Sequence, residues 1–224
     1  MRAGNAEYRA SLDFPEIIPI FPLSGALLLP GGNLPLNIFE PRYLAMTDHA
    51  LAHDRLIGLI QPDPSGAETS QGPKLCQVGC LGRLTGFQET GDGRYRINLT
   101  GVCRFRPTSE EPLCKGFRST RFSVEPADLK CCDAEDPANR LADRKGLLAT
   151  FRRFLAANQM ETDWDAVERT DDETLVTALC MMSPYGPAEK QALLEARDLN
   201  ARAETLVAIT EIALAKSGDA SSLQ

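Results

Sequence analysis

The sequence predicts an α+β protein: a small β-barrel of short, sharply bent strands, followed by an α-helical bundle. Three observations carry this. Up to residue 126 the apolar runs are short and are interrupted by glycine or proline. From residue 140 the large apolar residues fall at helical spacing instead. Charge divides the same way: residues 1–126 hold 13 Lys and Arg against 13 Asp and Glu, and residues 127–224 hold 11 against 18. The expected organisation is a barrel domain over 14–126, a linker over 127–139 and a helical domain over 140–216, with flexible tails at 1–13 and 217–224.

Residues 17–43 read IIPIFPLSGALLLPGGNLPLNIFEPRY, large apolar side chains beside five prolines. Proline breaks a helix interior and cannot donate to a central strand, so the stretch is read as edge strand, turn and loop. Ile18, Ile20 and Phe21 are expected to enter the core from an edge strand. Pro30-Gly31-Gly32-Asn33 is read as a turn, and Leu34-Pro35-Leu36 as the lead into a helix. That helix opens at Pro41 and runs to about His53, with Leu44, Thr47 and Leu51 on one face.

RLIGLIQP (55–62) is a short apolar strand ended by proline, and CQVGCLGRLTGFQET (76–90) a strand bent at Gly79, Gly82 and Gly86. RYRINLTGVCRFRP (94–107) alternates as a half-buried strand does, and Gly91-Asp92-Gly93 joins it to its predecessor as a hairpin. Gly101 is read as a bulge, and GFRSTRFSVEP (116–126) supplies a further strand. In the second half Leu141, Leu148, Phe151 and Leu155 mark a helix. Thr162-Asp163-Trp164-Asp165 and Thr170-Asp171-Asp172-Glu173 read as capping boxes, the second opening a helix with Leu175, Leu179 and Met182 on one side. Pro187 begins a helix with Leu193 and Leu194 in the core, and a last helix carries Leu199, Leu206, Ile209 and Ala213.

The whole chain, 43% hydrophobic and 25% charged, is ordinary for a soluble globular protein. No run approaches the ~20 apolar residues that span a bilayer, and MRAGNAEYRASLDFPE has no apolar signal region. Seven scattered cysteines suit reduced thiols and a cytoplasmic location. The net charge of -7 argues against nucleic acid as the main partner.

IPIFPLSGALLLPGGNLPLNIFEPRYLAM, VGCLGRL, INLTGVCRFR and EKQALLEA, in this order, resemble the N-terminal domain of the ATP-dependent Lon proteases, from about Phe14 to Lys216. The nearest likeness is to bacterial proteins that consist of that domain alone. The resemblance implies a PUA-like barrel followed by a helical bundle, engaged in substrate recognition and assembly and not in chemistry. No G-x-x-x-x-G-K-[ST] phosphate loop is present, nor a segment for a serine–lysine peptidase, so a non-catalytic protein without cofactor is expected. The implied partners are unfolded or damaged polypeptides, with a protease or chaperone as a further class.

The candidate polypeptide-binding surface is Leu27, Leu28, Leu29, Leu34 and Leu36, flanked by Phe39, Arg42 and Tyr43. The competing reading buries all five leucines under the barrel end. Glu40 is expected to pair with Arg104 as a structural ion pair. The alternative function is RNA binding through Arg94, Arg96, Arg104 and Arg106, with Arg83, Lys115, Arg118 and Arg121 nearby, since PUA-like barrels in other families bind RNA. A small-ligand site between the domains is a third reading. His49 and His53 stand at i,i+4 but lack a third ligand, so no metal site is expected. Cys76 and Cys80 are read as core thiols, and the Cys131-Cys132 pair carries no functional reading.

Overall fold

The computed structural model describes residues 1–129 and 140–221, with side chains as far as Lys216. An N-terminal hairpin, β1 (Arg2–Ala3) and β2 (Ala6–Glu7), comes first, then β3 (Ile17–Pro22), β4 (Asn33–Ile38), α1 (Pro41–Ala52) and β5 (Leu56–Ile60). A small hairpin follows, β6 (Glu68–Thr69) with β7 (Gly72–Pro73), and then β8 (Gly79–Glu89), β9 (Tyr95–Cys114) and β10 (Phe117–Val124). The helices α2 (Arg144–Ala157), α3 (Trp164–Arg169), α4 (Asp172–Met182), α5 (Pro187–Glu195) and α6 (Leu199–Ser221) complete the chain.

The main sheet runs β10-β3-β5-β8-β9-β4, and β9 also pairs with β10. β3, β5, β8 and β10 therefore each have two strand neighbours and β9 has three, and the pairings among these five form a ring. β9 can serve three partners because it is 20 residues long. β3 and β5 are parallel, with α1 in the crossover that parallel strands require. β4 hangs on the outside of the ring, paired only to β9 in this sheet.

Two glycine-rich expectations hold in detail. Gly91 and Gly93 adopt positive φ in the β8–β9 turn, a backbone region open to glycine at little cost. The β8–β9 register slips between Leu81 and Gly82, where the partners jump from Cys103 to Gly101, so the bulge falls where Gly101 marks it.

β3 differs from its expected place. It is not an edge strand, for β10 lies on one side and β5 on the other. The two ladders are staggered: β10 registers with Ile17 to Ile20, and β5 with Ile20 to Pro22. Pro19 and Pro22 each face a partner on one side only, which is how an inner strand tolerates both.

The helical stripes are offset from those expected. α1 buries Tyr43, Met46, Thr47 and Ala50, and α2 buries Leu147, Thr150, Phe151 and Phe154. Met182, expected on one side of its helix with Leu175 and Leu179, is 84% exposed at the end of α4. The caps of α3 and α4 are Asp163 and Asp171, each accepting from a backbone N–H three residues on. Asp198 accepts from the Ala201 N–H and so starts α6, the boundary that no glycine or proline marks.

The first 13 residues are also ordered rather than a tail. Ala3 and Tyr8 are buried, and the Tyr8 hydroxyl accepts from Arg83 at 2.9 Å. Within the expected linker, Leu129 is buried at the end of a 3₁₀ turn; its remainder, with Cys131 and Cys132, lies outside the described residues. The expected C-terminal tail is helical as far as Ser221.

Strands and helices share one continuous cluster of buried side chains, which takes in Leu28, Ile57 and Leu99 as well as Phe151, Val176 and Leu206. At their junction stands Arg104 on β9. Its Nε and Nη2 donate to Asp128 at 2.9 and 2.8 Å, and its Nη1 and Nη2 donate to the carbonyls of Ala196 and Arg197 at 2.6 and 3.2 Å. Those carbonyls lie between α5 and α6. Arg202 reaches the same turn from α6, donating to the Leu193 carbonyl at 3.0 Å. The hydrogen bonds that Arg104 donates to Asp128 raise its pKa, and burial lowers that of Arg202, with Arg104 adding repulsion.

The expected Glu40–Arg104 pair is therefore not formed. The Arg104 guanidinium is committed to Asp128 and the α5–α6 turn, and Glu40 pairs at the surface with Arg42 at 2.8 Å. Past the bulge at Gly101, the outward face of β9 is covered by this turn, which turns Arg104 into a buried joint.

Two stability measurements check this account. Arg104→Ala should cost about 3–5 kcal/mol in urea denaturation, because it strands a buried carboxylate, whereas Glu40→Ala should cost at most about 1 kcal/mol. The double change Arg104→Met, Asp128→Leu should recover only part of that loss, since two carbonyls still lack donors. A Cβ at Gly101 would collide with the Leu29 carbonyl oxygen. Gly101→Ala should therefore lower stability by about 1–3 kcal/mol or more, and an unchanged denaturation midpoint would contradict the close approach.

Candidate functional site

The expected recognition surface divides in three. Leu27, Leu28 and Leu29 are core residues, 3%, 1% and 0% exposed, which gives them to the buried reading. Leu34 and Leu36 are half-buried on β4 and pack on the same core. Tyr43 is buried against the Phe21 ring at 4.3 Å, with the Arg42 guanidinium over its face, and Phe39 stands exposed. β4 carries the chain about 17 Å from Asn33 to Ile38, and Phe39 follows at that far end of the strand.

What the loop does present is its tip. Pro30, Gly31, Gly32 and Asn33 form one wall of a cleft of about 410 Å³, and Thr174, Thr177, Ala178, Met181 and Met182 of α4 form the other. Glu173 closes one end and Met1 borders the rim. Clefts of this size accommodate small ligands or a few side chains.

Each wall is fixed from below. On the loop side, Gly31 N–H donates to the Gly101 carbonyl at 3.0 Å and Gly101 N–H to the Gly32 carbonyl at 2.8 Å. The three leucines anchor the same segment in the core. The tip approaches Met181 so closely that a Cβ on Gly32 would meet its sulfur. On the helix side, Leu175, Val176 and Cys180 are buried, which leaves the 174, 178 and 182 positions of α4 outward. Asp172 pairs with Arg144, whose guanidinium also donates to the Val167 and Thr170 carbonyls at 2.8 Å, so α2 holds the start of α4 in place.

The cleft offers mainly apolar contact, and Glu173 is the only ionisable side chain among the described residues that line it. The nearby Cys180 thiol is pushed up to about 12 by burial, as is Cys103, so neither provides a thiolate at neutral pH. Among the described residues no group of three His, Cys, Asp or Glu is placed to hold a metal. His49 and His53 stack at 4.2 Å, and His53 Nδ1–H donates to the His49 carbonyl at 2.7 Å. Cys80 is buried and Cys76 half-buried.

The arginines do not assemble into one basic face. Arg104 and Arg118 are buried, the latter paired with Glu110 at 2.6 Å. Arg83 serves Tyr8 and the Asp54 carbonyl, Arg94 pairs with Asp92, and Arg121 pairs with Glu16 and Glu111. Arg96 and Arg106 are exposed, too few for the phosphate footprint that RNA needs. Beside Arg104, where strands and helices meet, the cavity is about 40 Å³, room for a water and no metabolite.

The α4 residues of the cleft were not legible as a site, because Met182 reads as the continuation of the apolar stripe begun by Leu175 and Leu179. The available signal was the Met181-Met182 pair beside a capping turn, one methionine more than a single stripe can bury.

The model of the ATP-dependent protease La (LON) substrate-binding domain matches residues 17–211. Lon protease 2 of Myxococcus xanthus is 29% identical over 195 residues, covering 85% of this chain and 23% of that protein. Protein cereblon of Danio rerio is 29% identical over 119 residues, or 51% of this chain and 26% of that one. The chain thus spans about a quarter of the length of these curated relatives. Among solved structures, a Lon N-terminal domain protein from Xanthomonas campestris superposes with a TM-score of 0.58 at 22% identity, over 86% of this chain and 97% of that one. The N-terminal domain of Lon protease from the Mycobacterium avium complex gives 0.60 at 18% identity, over 87% and 98%. With most of its length matched by the family model and its fold shared with two Lon N-terminal domains, the chain belongs to the Lon substrate-binding domain family.

Proposed function

We propose that this protein is a non-catalytic polypeptide-recognition module that grips unfolded or damaged chains in the cleft between the Pro30–Asn33 tip and α4. The observation that carries the reading is the cleft itself: an apolar, methionine-lined groove whose walls are held rigidly from beneath. Methionine side chains are flexible and polarisable, which suits a surface that must accept many sequences. The family's description as substrate-binding points to the same role, and the matched relatives are proteases of which this chain spans only a part.

The finer architecture follows from this assignment. The ring of five strands is read as a PUA-like barrel over 14–126, and the five helices as a bundle over 140–216. A protease or chaperone that receives the captured chain is the natural partner class. No described helix is long and apolar enough to cross a membrane, and the described cysteines are free, both in keeping with the cytoplasm.

Two experiments test the proposal. Met182→Asp adds a charge to an exposed apolar side chain, so the melting temperature should hold while affinity for unfolded casein falls about tenfold or more. Leu28→Asp should instead lower stability by several kcal/mol, because it buries an unpaired charge. Undiminished casein binding by folded Met182→Asp would place the site elsewhere. The purified protein should neither hydrolyse ATP nor cleave denatured casein; turnover abolished by a point substitution in this chain would end the non-catalytic reading.

A further inference from the structure

Three of the five methionines in the chain line this one groove: Met1 at the rim, and Met181 and Met182 at the end of α4. Their surroundings rank them. Met182 is 84% exposed and Met160, which does not line the groove, 52%, whereas Met46 is sealed in the core at 0%. Met1 and Met181 are half-buried. The Met181 sulfur rests on the loop tip, where a Cβ on Gly32 would lie 2.3 Å from it. A dissolved oxidant must touch a thioether to react with it, so exposure sets the order.

We infer that Met182, with Met181 behind it, is a site of reversible oxidation by peroxide, and that the sulfoxide releases the groove's hold on polypeptide. The inference rests on the polypeptide-recognition reading above and adds its regulation. The sulfur lone pair attacks one oxygen of hydrogen peroxide, so that the S–O bond forms and the O–O bond breaks. The hydroxide that leaves takes the proton from the new S–OH and becomes water. Sulfur loses two electrons and the peroxide gains them. Methionine sulfoxide reductases reverse the step, the oxygen leaving as water while a pair of thiols is oxidised to a disulfide.

The product is a polar side chain whose oxygen needs a hydrogen-bond donor. The tip has none to give. Pro30 has no N–H, Gly31 N–H donates to the Gly101 carbonyl, and Gly32 N–H donates to the Leu29 carbonyl at 2.9 Å. In the open groove water solvates the new oxygen, and an apolar side chain that enters strips this water away. The cost therefore falls on binding and not on folding.

The test exposes the whole protein to graded hydrogen peroxide and then to dithiothreitol, which returns reversibly oxidised thiols such as the exposed Cys114 to their reduced form. Peptide mass spectrometry should find the Met182 sulfoxide first, at a rate about tenfold or more above that of Met46. Affinity for unfolded casein should fall about fivefold or more in step with that sulfoxide, at an unchanged melting temperature. Methionine sulfoxide reductase should restore it, which assigns the loss to sulfoxide without any variant. Met160→Leu should bind and respond as the parent does. In the double variant Met181→Leu, Met182→Leu, whatever its starting affinity, peroxide should cause little further loss. Full casein binding by protein oxidised at Met182, no recovery with the reductase, or a melting temperature that falls along with binding would overturn the switch and leave polypeptide recognition standing. Failure of the untreated protein to bind casein would overturn both.

Discussion

A guanidinium taken out of water needs hydrogen-bond acceptors and a balancing charge, and Arg104 finds both in separate parts of the chain. Asp128 balances the charge from the turn that follows the last strand, and the Ala196 and Arg197 carbonyls accept from Nη1 and Nη2 out of the α5–α6 turn. Those carbonyls are the orphaned groups that any helix end leaves behind. The strand region thus caps a helix, and the helix satisfies a strand residue. Arg202 strengthens the dependence, since its own buried charge lies close enough to Arg104 to be repelled. Gln61 and Lys190 extend the joint: Gln61 donates to the Pro187 carbonyl and accepts from the Gly25 N–H, and Lys190 donates to the Gly25 carbonyl.

The loop over residues 23–32 has a similar double role. Its leucines fill the core that strands and helices share, and its backbone bonds to Gly101 on β9. Only a residue without a side chain allows the Leu29 carbonyl to lie against that strand. A buried loop would otherwise strand polar backbone groups; here the bonds to Gly101 take up two of them, and Ser24 and Gly31 are the exposed points of the loop.

Much of this organisation is legible in the sequence, and the rest fails for definable reasons. Glycine signals are local, so the Gly91–Gly93 turn and the bulge at Gly101 can be read directly. Capping signals are local too: the boxes read from Thr162 and Thr170 start one residue before the caps found at Asp163 and Asp171, and so place α3 and α4 to within a residue. Proline in β3 misleads, because its rule concerns neighbours on both sides and a sequence does not reveal that two ladders overlap at Ile20 alone. Helical stripes are offset by a position where two faces are both partly apolar: in α2, Leu147 and Phe154 compete with Leu148 and Leu155. Arg104 shows the same limit for charge. Asp128 stands 24 residues away beyond a strand and a turn, and no periodicity connects them. The candidate site is less legible: none of the leucines expected to bind lines the cleft, its Pro30–Asn33 tip reads in sequence as a turn, and its α4 wall comes from a helix about 140 residues on, brought there by tertiary packing.

That distance in sequence bears on how the groove works. One wall belongs to the strand region through Gly101, and the other to the helices through Arg144 and the core face of α4. Neither wall sets the width alone; the joint at Arg104 and Gln61 does. A groove inside one element would have a fixed opening, whereas a groove across a joint takes its width from the way the two sides dock. The polar contacts of the joint are directional, which holds the docking to one geometry. On the proposed polypeptide-recognition reading, adaptability to varied sequences falls to the side chains, and Met181 and Met182, with three rotatable bonds each, are the residues that supply it.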